Sequence, residues 1–205
     1  MDVELVQKIL VQAITQLVLF TLIPFLWWFF TERKEGKRSF FDWIGLKKIR
    51  RKGAVKLLIL GTLAYSLAMV LTLSFAGGQL PGWPDLYGLG LAGLPVLLVY
   101  ALVTTGLTEE LFFRGFLLKR FIDKDDFDVA NISQAMLFGL FSAILFFGAM
   151  SFWKALLLSV LYAALAYGLG WVNEKKGGGS LLLSWFIRSL AGLIVGLGMM
   201  NGMLS

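Results

Sequence analysis

The chain has 205 residues, 58% of them hydrophobic and 16% charged, with a formal net charge of +6. A soluble domain carries about a quarter charged residues, so this composition excludes an ordinary soluble fold and leaves room for about six spans of about 20 apolar residues each. With no Cys there are no disulfides, thiolate metal sites or cysteine nucleophiles, and with no His the commonest metal ligand and general base are missing.

Six apolar stretches follow in chain order, at about 10–30, 54–77, 89–118, 133–150, 154–173 and 180–203. The expected fold is therefore all-α, a polytopic integral membrane protein with residues 1–205 in a single transmembrane domain. A β-barrel would need short alternating segments instead. The first span is led by Asp2 and Glu4 and is too long for the apolar region of a cleavable signal peptide. No repeat, soluble domain or low-complexity tail is visible. Pro24 and Pro95 are candidate kinks in spans one and three. Ala164 with Gly168, and Gly192 with Gly196 and Gly198, permit close helix approach, expected within the chain, with dimerisation as the alternative.

The basic residues are distributed unevenly. Arg33, Lys34, Lys37, Arg38, Lys47, Lys48, Arg50, Arg51, Lys52 and Lys56 lie between spans one and two; Lys119, Arg120 and Lys124 follow span three; Lys175 and Lys176 follow span five. Lys8 and Lys154 alone fall on the opposite side. Membrane topology accounts for this clustering better than a nucleic-acid partner does. Positive-inside places the 31–53 loop in the cytoplasm and both termini outside. Trp27 and Trp28 are then expected at the inner interface, Trp83 and Trp153 near the outer one. Within the loop, Phe40, Phe41, Trp43, Ile44, Leu46 and Ile49 among the basic residues predict a helix lying on anionic lipid.

Ionisable residues inside apolar spans are the informative ones, because an unpaired charge at mid-bilayer costs several kcal/mol. Span three carries Glu109, Glu110 and Arg114, and span six carries Arg188. Glu110 and Arg114 are four apart and share a helix face. Glu109 lies about 100° round the helix from Glu110 and is free to face Arg188. Counting at 1.5 Å per residue from the cytoplasmic span ends puts Glu110, Arg188 and Ser142 each about 13 Å deep. Two readings fit: a buried ion-pair clamp that fixes helix register, or a general-base carboxylate in a cavity open to the cytoplasm.

The segment Glu109-Glu110-Leu111-Phe112-Phe113-Arg114-Gly115 resembles the EExxxR signature of the CAAX protease and bacteriocin-processing family, which includes the type II CAAX prenyl endopeptidases and many bacterial immunity-type membrane proteins. The resemblance covers about residues 89–195 and implies a CAAX-protease-like helical bundle, in a prokaryotic plasma membrane. It further implies a glutamate that activates water, with histidines and an Asn positioning that water and stabilising the oxyanion. The family's FxxxH pattern is matched by Phe138 with Ser142 in the His position. Its last motif, HxxxN, fits in two registers. Ser184 stands for the His and Arg188 for the Asn, or Arg188 stands for the His and Gly192 for the Asn; the small apolar run Ser189-Leu190-Ala191 favours the first. Glu109, Glu110 and Arg114 are thus the retained half of the site, and Ser142, Ser184 and Arg188 occupy the positions of the missing groups. Serine is no base, a nearby cation weakens a carboxylate as one, and each lost donor or acid–base group costs about 10²-fold or more. The expected function is a proteolytically silent homologue that binds a membrane partner or hydrophobic peptide. An active glutamate-dependent endopeptidase and a small transporter or lipid-binding subunit are the alternatives. No metal or cofactor is expected.

Overall fold

The computed structural model describes residues 3–33, 38–49 and 54–204, with side chains described at Gln7 and from Ile9 onward. Lys34, Lys37, Arg50, Arg51 and Lys52, Asp2, and the side chains of Glu4 and Lys8 lie outside the described residues. The long helices are α1 (Val3–Thr31), α3 (Ala54–Phe75), α4 (Gly90–Ile122), α5 (Phe127–Phe147), α6 (Phe152–Lys176) and α7 (Leu182–Met200); α2 is a five-residue helix, Phe40–Ile44. All six long helices have the length and apolarity to cross a membrane. Their outward faces are apolar, as at Ile14, Leu63, Leu140, Leu157 and Ile194, all exposed. Such surface is stable in lipid and not in water. The protein is an integral membrane protein.

Alternation of long helices with short connections gives the bundle two ends. One end gathers the basic loop with residues 123–126 and 177–181, and here Arg120 reaches Glu32 at 3.6 Å. The opposite end gathers the 76–89 and 148–151 connections and Asn201. Close helix approach is made by small residues. A Cβ on Gly139 of α5 would sit 2.8 Å from the Ala163 Cβ of α6, and one on Gly196 of α7 2.2 Å from Leu97 Cδ1 of α4. Gly192 likewise lies against Ala101 and Trp83. Ala164 and Gly168 depart from expectation: both are exposed, and a Cβ on Gly168 would meet nothing within 4 Å. The face of α6 that packs carries Ser159, Ala163 and Gly170 instead.

The prolines, Trp83 and the start of α5 are placed as follows. Pro95 lies at the start of the α turn Leu94–Leu98, just after the 3-10 turn Gly90–Gly93, so it marks a change of helix type near the beginning of α4. Pro24 does sit inside α1, which runs on through it. Trp83 lies in the 76–89 connection, half-buried, with its ring 5.8 Å from Tyr100. Helix α5 begins at Phe127, six residues before its apolar run, because the polar side chains of its first turns have partners. Asn131 Nδ2 donates to the Tyr167 carbonyl at 2.9 Å, and Gln134 Nε2 to Asn131 Oδ1 at 2.9 Å.

The helix expected on the lipid surface is α2, and it is a plug rather than a raft. Ser39 caps its start by accepting from the Asp42 N–H at 3.2 Å, and Gly45 ends it at φ +91°, a conformation that favours glycine. Trp43 and Ile44 are buried in a cluster with Leu111, Phe116 and Leu181, while Phe41 and Asp42 are left exposed.

Candidate functional site

Helix α4 is irregular where it carries the glutamates. Wide π-type turns run over Val99–Leu107 and Leu111–Leu117, with a single α turn, Thr108–Glu110, between them. Threonines support the widened stretch: Thr104 and Thr105 donate to the carbonyls five residues back, Val99 at 3.4 Å and Tyr100 at 3.0 Å. Stretches of this kind are rare and concentrate at functional positions.

Both carboxylates are buried, and both are paired. Arg188 Nη2 donates to Glu109 Oε2 at 2.5 Å, and Nη1 to Glu110 Oε1 at 3.1 Å. Arg114 Nη1 lies 3.1 Å from the same Glu110 oxygen. Ser184 Oγ donates to Glu110 Oε2 and accepts from Asn173 Nδ2 at 2.7 Å, while Asn173 Oδ1 accepts the Ser184 N–H at 3.1 Å. Two negative and two positive groups thus neutralise each other, which is what makes them tolerable inside a membrane protein. Phe138 is the common platform, with Arg114 Cζ 4.5 Å and Arg188 Cζ 5.2 Å from its ring centroid; Tyr65 adds a second ring 5.3 Å from Arg188.

A cavity of about 300 Å³ opens beside this cluster, with Glu109, Arg188, Tyr65, Phe138 and Ser142 in its wall. Its remaining lining fixes its direction. Gln12, Gln16, Thr72, Leu80, Trp83, Leu145 and Phe146 all belong to the half of the bundle that ends in the 76–89 connection. The cavity therefore runs away from the basic loop, contrary to the expected opening on the loop's side. The loop end is closed by direct bonds. Leu181 N–H donates to Gly45 O at 3.0 Å, Ser180 Oγ to Lys47 O at 2.5 Å, and Lys119 Nζ to Glu174 Oε1 at 2.8 Å and Gly179 O at 3.0 Å.

The family model for type II CAAX prenyl endopeptidase Rce1-like proteins matches residues 90–194, just over half of the sequence. The chain belongs to this family. No curated protein and no solved structure matches it.

Within this CAAX-endopeptidase bundle the motif residues assemble unequally. Glu109, Glu110, Arg114, Ser184 and Arg188 form one bonded cluster. Ser142 shares the cavity but donates to its own helix, to Phe138 O at 3.0 Å. It is also deeper than the apolar run implied, about 22 Å along α5 from Phe127. Gly192 packs on Trp83 and Ala101, so in the second register the Asn position carries no polar side chain, while Arg188 belongs to the cluster in either register. Sequence reasoning missed Asn173, which orients Ser184, and Tyr65. The signal was faint in both cases: a lone amide at the end of an apolar span and a lone phenol in the middle of one.

Proposed function

We propose that this protein is a proteolytically silent member of the type II CAAX endopeptidase family, using its cavity to hold a hydrophobic peptide segment of a membrane partner. One observation carries the reading: Arg188 is bonded to both glutamates, at Glu109 Oε2 and at Glu110 Oε1. A general base needs a lone pair aimed at the proton it removes, and Glu110 has each oxygen engaged. The chain has no imidazole to share the task, and Ser142 and Ser184 direct their hydroxyls at Phe138 O and Glu110. Several losses of about 10²-fold each leave no useful rate. The cavity wall, by contrast, is rich in apolar and aromatic side chains, which suits binding. By the positive-inside rule the basic loop faces the cytoplasm of a prokaryotic cell, beside anionic lipid, and the cavity faces outward.

The test uses the full chain in proteoliposomes with a prenylated CAAX reporter peptide and with a photo-reactive apolar peptide. The parent is expected to release no product above the Glu109→Ala background, yet to crosslink the apolar peptide at cavity residues such as Phe141. The triple variant Ser142→His, Ser184→His, Arg188→Asn restores the family pattern, and gained cleavage there supports a lapsed protease. Robust Glu109-dependent cleavage by the parent overturns the proposal and makes Arg188 an oxyanion donor.

A further inference from the structure

We infer that the cavity reads an uncharged amide group carried on an apolar tail, and that Tyr65, which lies outside the family-matched region, is its specificity-determining donor. This inference rests on the cavity being a binding site, as proposed above, and asks what chemistry it binds.

Most polar atoms of the wall are already satisfied. Tyr162 and Thr72 share a hydrogen bond at 3.2 Å, and Thr104, Thr105 and Ser142 donate to carbonyls of their own helices. Two buried donors are not. Tyr65 Oη, on a residue 3% exposed, and Arg188 Nε, on a residue 7% exposed, have no hydrogen-bond partner among the described residues. They are neighbours, since the Arg188 guanidinium lies over the Tyr65 ring. Beside them is one free acceptor. Glu109 spends Oε2 on Arg188, and its Oε1 has no partner among the described residues. Buried donors without acceptors are unfavourable, so the site is completed by a group that brings one.

Three features select the group. A carbonyl oxygen satisfies the Tyr65 and Arg188 donors. An N–H on the same group satisfies Glu109 Oε1. The cluster is already neutral, with Glu109 and Glu110 set against Arg114 and Arg188, so an ionised ligand would introduce an uncompensated charge. A carboxylate, an amine and an ester each fail at least one of these requirements; an amide meets all three. Phe20, Met69, Trp83, Phe141 and Leu145 supply the apolar wall for a tail. The amide belongs either to the backbone of a hydrophobic peptide or to an N-acylated lipid, which share this chemistry.

The experiment is equilibrium dialysis on the full chain in lipid nanodiscs, with decanamide, methyl decanoate, decanoate and decylamine as a matched series, and N-acetyl-trileucine amide as the peptide arm. Decanamide is expected to bind at least about tenfold more tightly than the other three ten-carbon probes, and Tyr65→Phe to weaken both amide probes about fivefold. Tyr65→Phe removes a hydroxyl with no hydrogen-bond partner among the described residues, so thermal stability should hold while binding falls. The tighter of the two amide probes names the source, lipid or peptide. Equal binding of amide and ester, binding unmoved by Tyr65→Phe, or no binding in the series overturns the inference. Reporter cleavage with the amide preference intact refutes silence alone; silence without an amide preference refutes only this inference.

Discussion

Replacing Arg188 with alanine separates the two glutamates energetically. The substitution removes the 2.5 Å bond to Glu109, the 3.1 Å bond to Glu110 and the cation lying over Tyr65 and Phe138. Glu110 keeps Arg114 at 3.1 Å and Ser184, whereas Glu109 keeps no partner among the described residues. Removing one side of a buried pair costs about 3–5 kcal/mol, most of it for the charge left behind. That charge is Glu109, so adding Glu109→Gln should return about 1–3 kcal/mol, the usual range for groups in direct contact. Adding Glu110→Gln instead takes the carboxylate from buried Arg114, and should deepen the loss. Reversible unfolding of Arg188→Ala, the singles Glu109→Gln and Glu110→Gln, and the two double variants in mixed micelles, followed by circular dichroism, gives the coupling energies. Additive costs for Arg188 and Glu109, or a better rescue by Glu110→Gln, would refute the assignment of partners.

Other outcomes follow from the packing and the topology. Gly106→Ala places a Cβ 2.4 Å from the Ala101 carbonyl, a backbone atom that cannot step aside, and should cost about 1–3 kcal/mol of stability. Gly168→Ala meets open space and should be neutral or stabilising by up to about 1 kcal/mol, because alanine favours a helix. Phe138→Leu withdraws one ring from two guanidinium groups and should destabilise by about 2 kcal/mol, measured in the same micelle assay. Since the chain has no cysteine of its own, single cysteines placed at Asp125 and Gln79 report topology directly. They should be labelled by an impermeant maleimide from opposite sides of the membrane, Asp125 from the cytoplasm.

The helices and the charged pairs were legible for the same reason. Lipid imposes long apolar runs, and any charge inside one must be paired, so the spans and the couples Glu110–Arg114 and Glu109–Arg188 follow from spacing. What the sequence concealed depends on three-dimensional closure. The polar start of α5 hid its first two turns, because Asn131 and Gln134 look solvent-facing until the α6 carbonyls are placed beside them. The aromatics of α2 have the composition of a membrane-surface helix, and only the groove over Gly115, where a Cβ would lie 2.8 Å from the Ile44 carbonyl, turns Trp43 and Ile44 inward. The direction of the cavity was equally hidden. It depends on which end of the bundle is bolted by Leu181, Ser180 and Lys119, and no periodicity encodes that.

The wide turns of α4 give the carboxylates an address written in chain length. A π-type turn holds one more residue than the α turn it replaces, so tightening Val99–Leu107 into ordinary helix at its present length would swing everything beyond it by about 100°. Glu109 would then leave Arg188 and turn toward a neighbouring helix or lipid. Tightening that goes with the loss of one residue keeps the phase, so variation along this stretch should accept such a loss more readily than the gain of a residue.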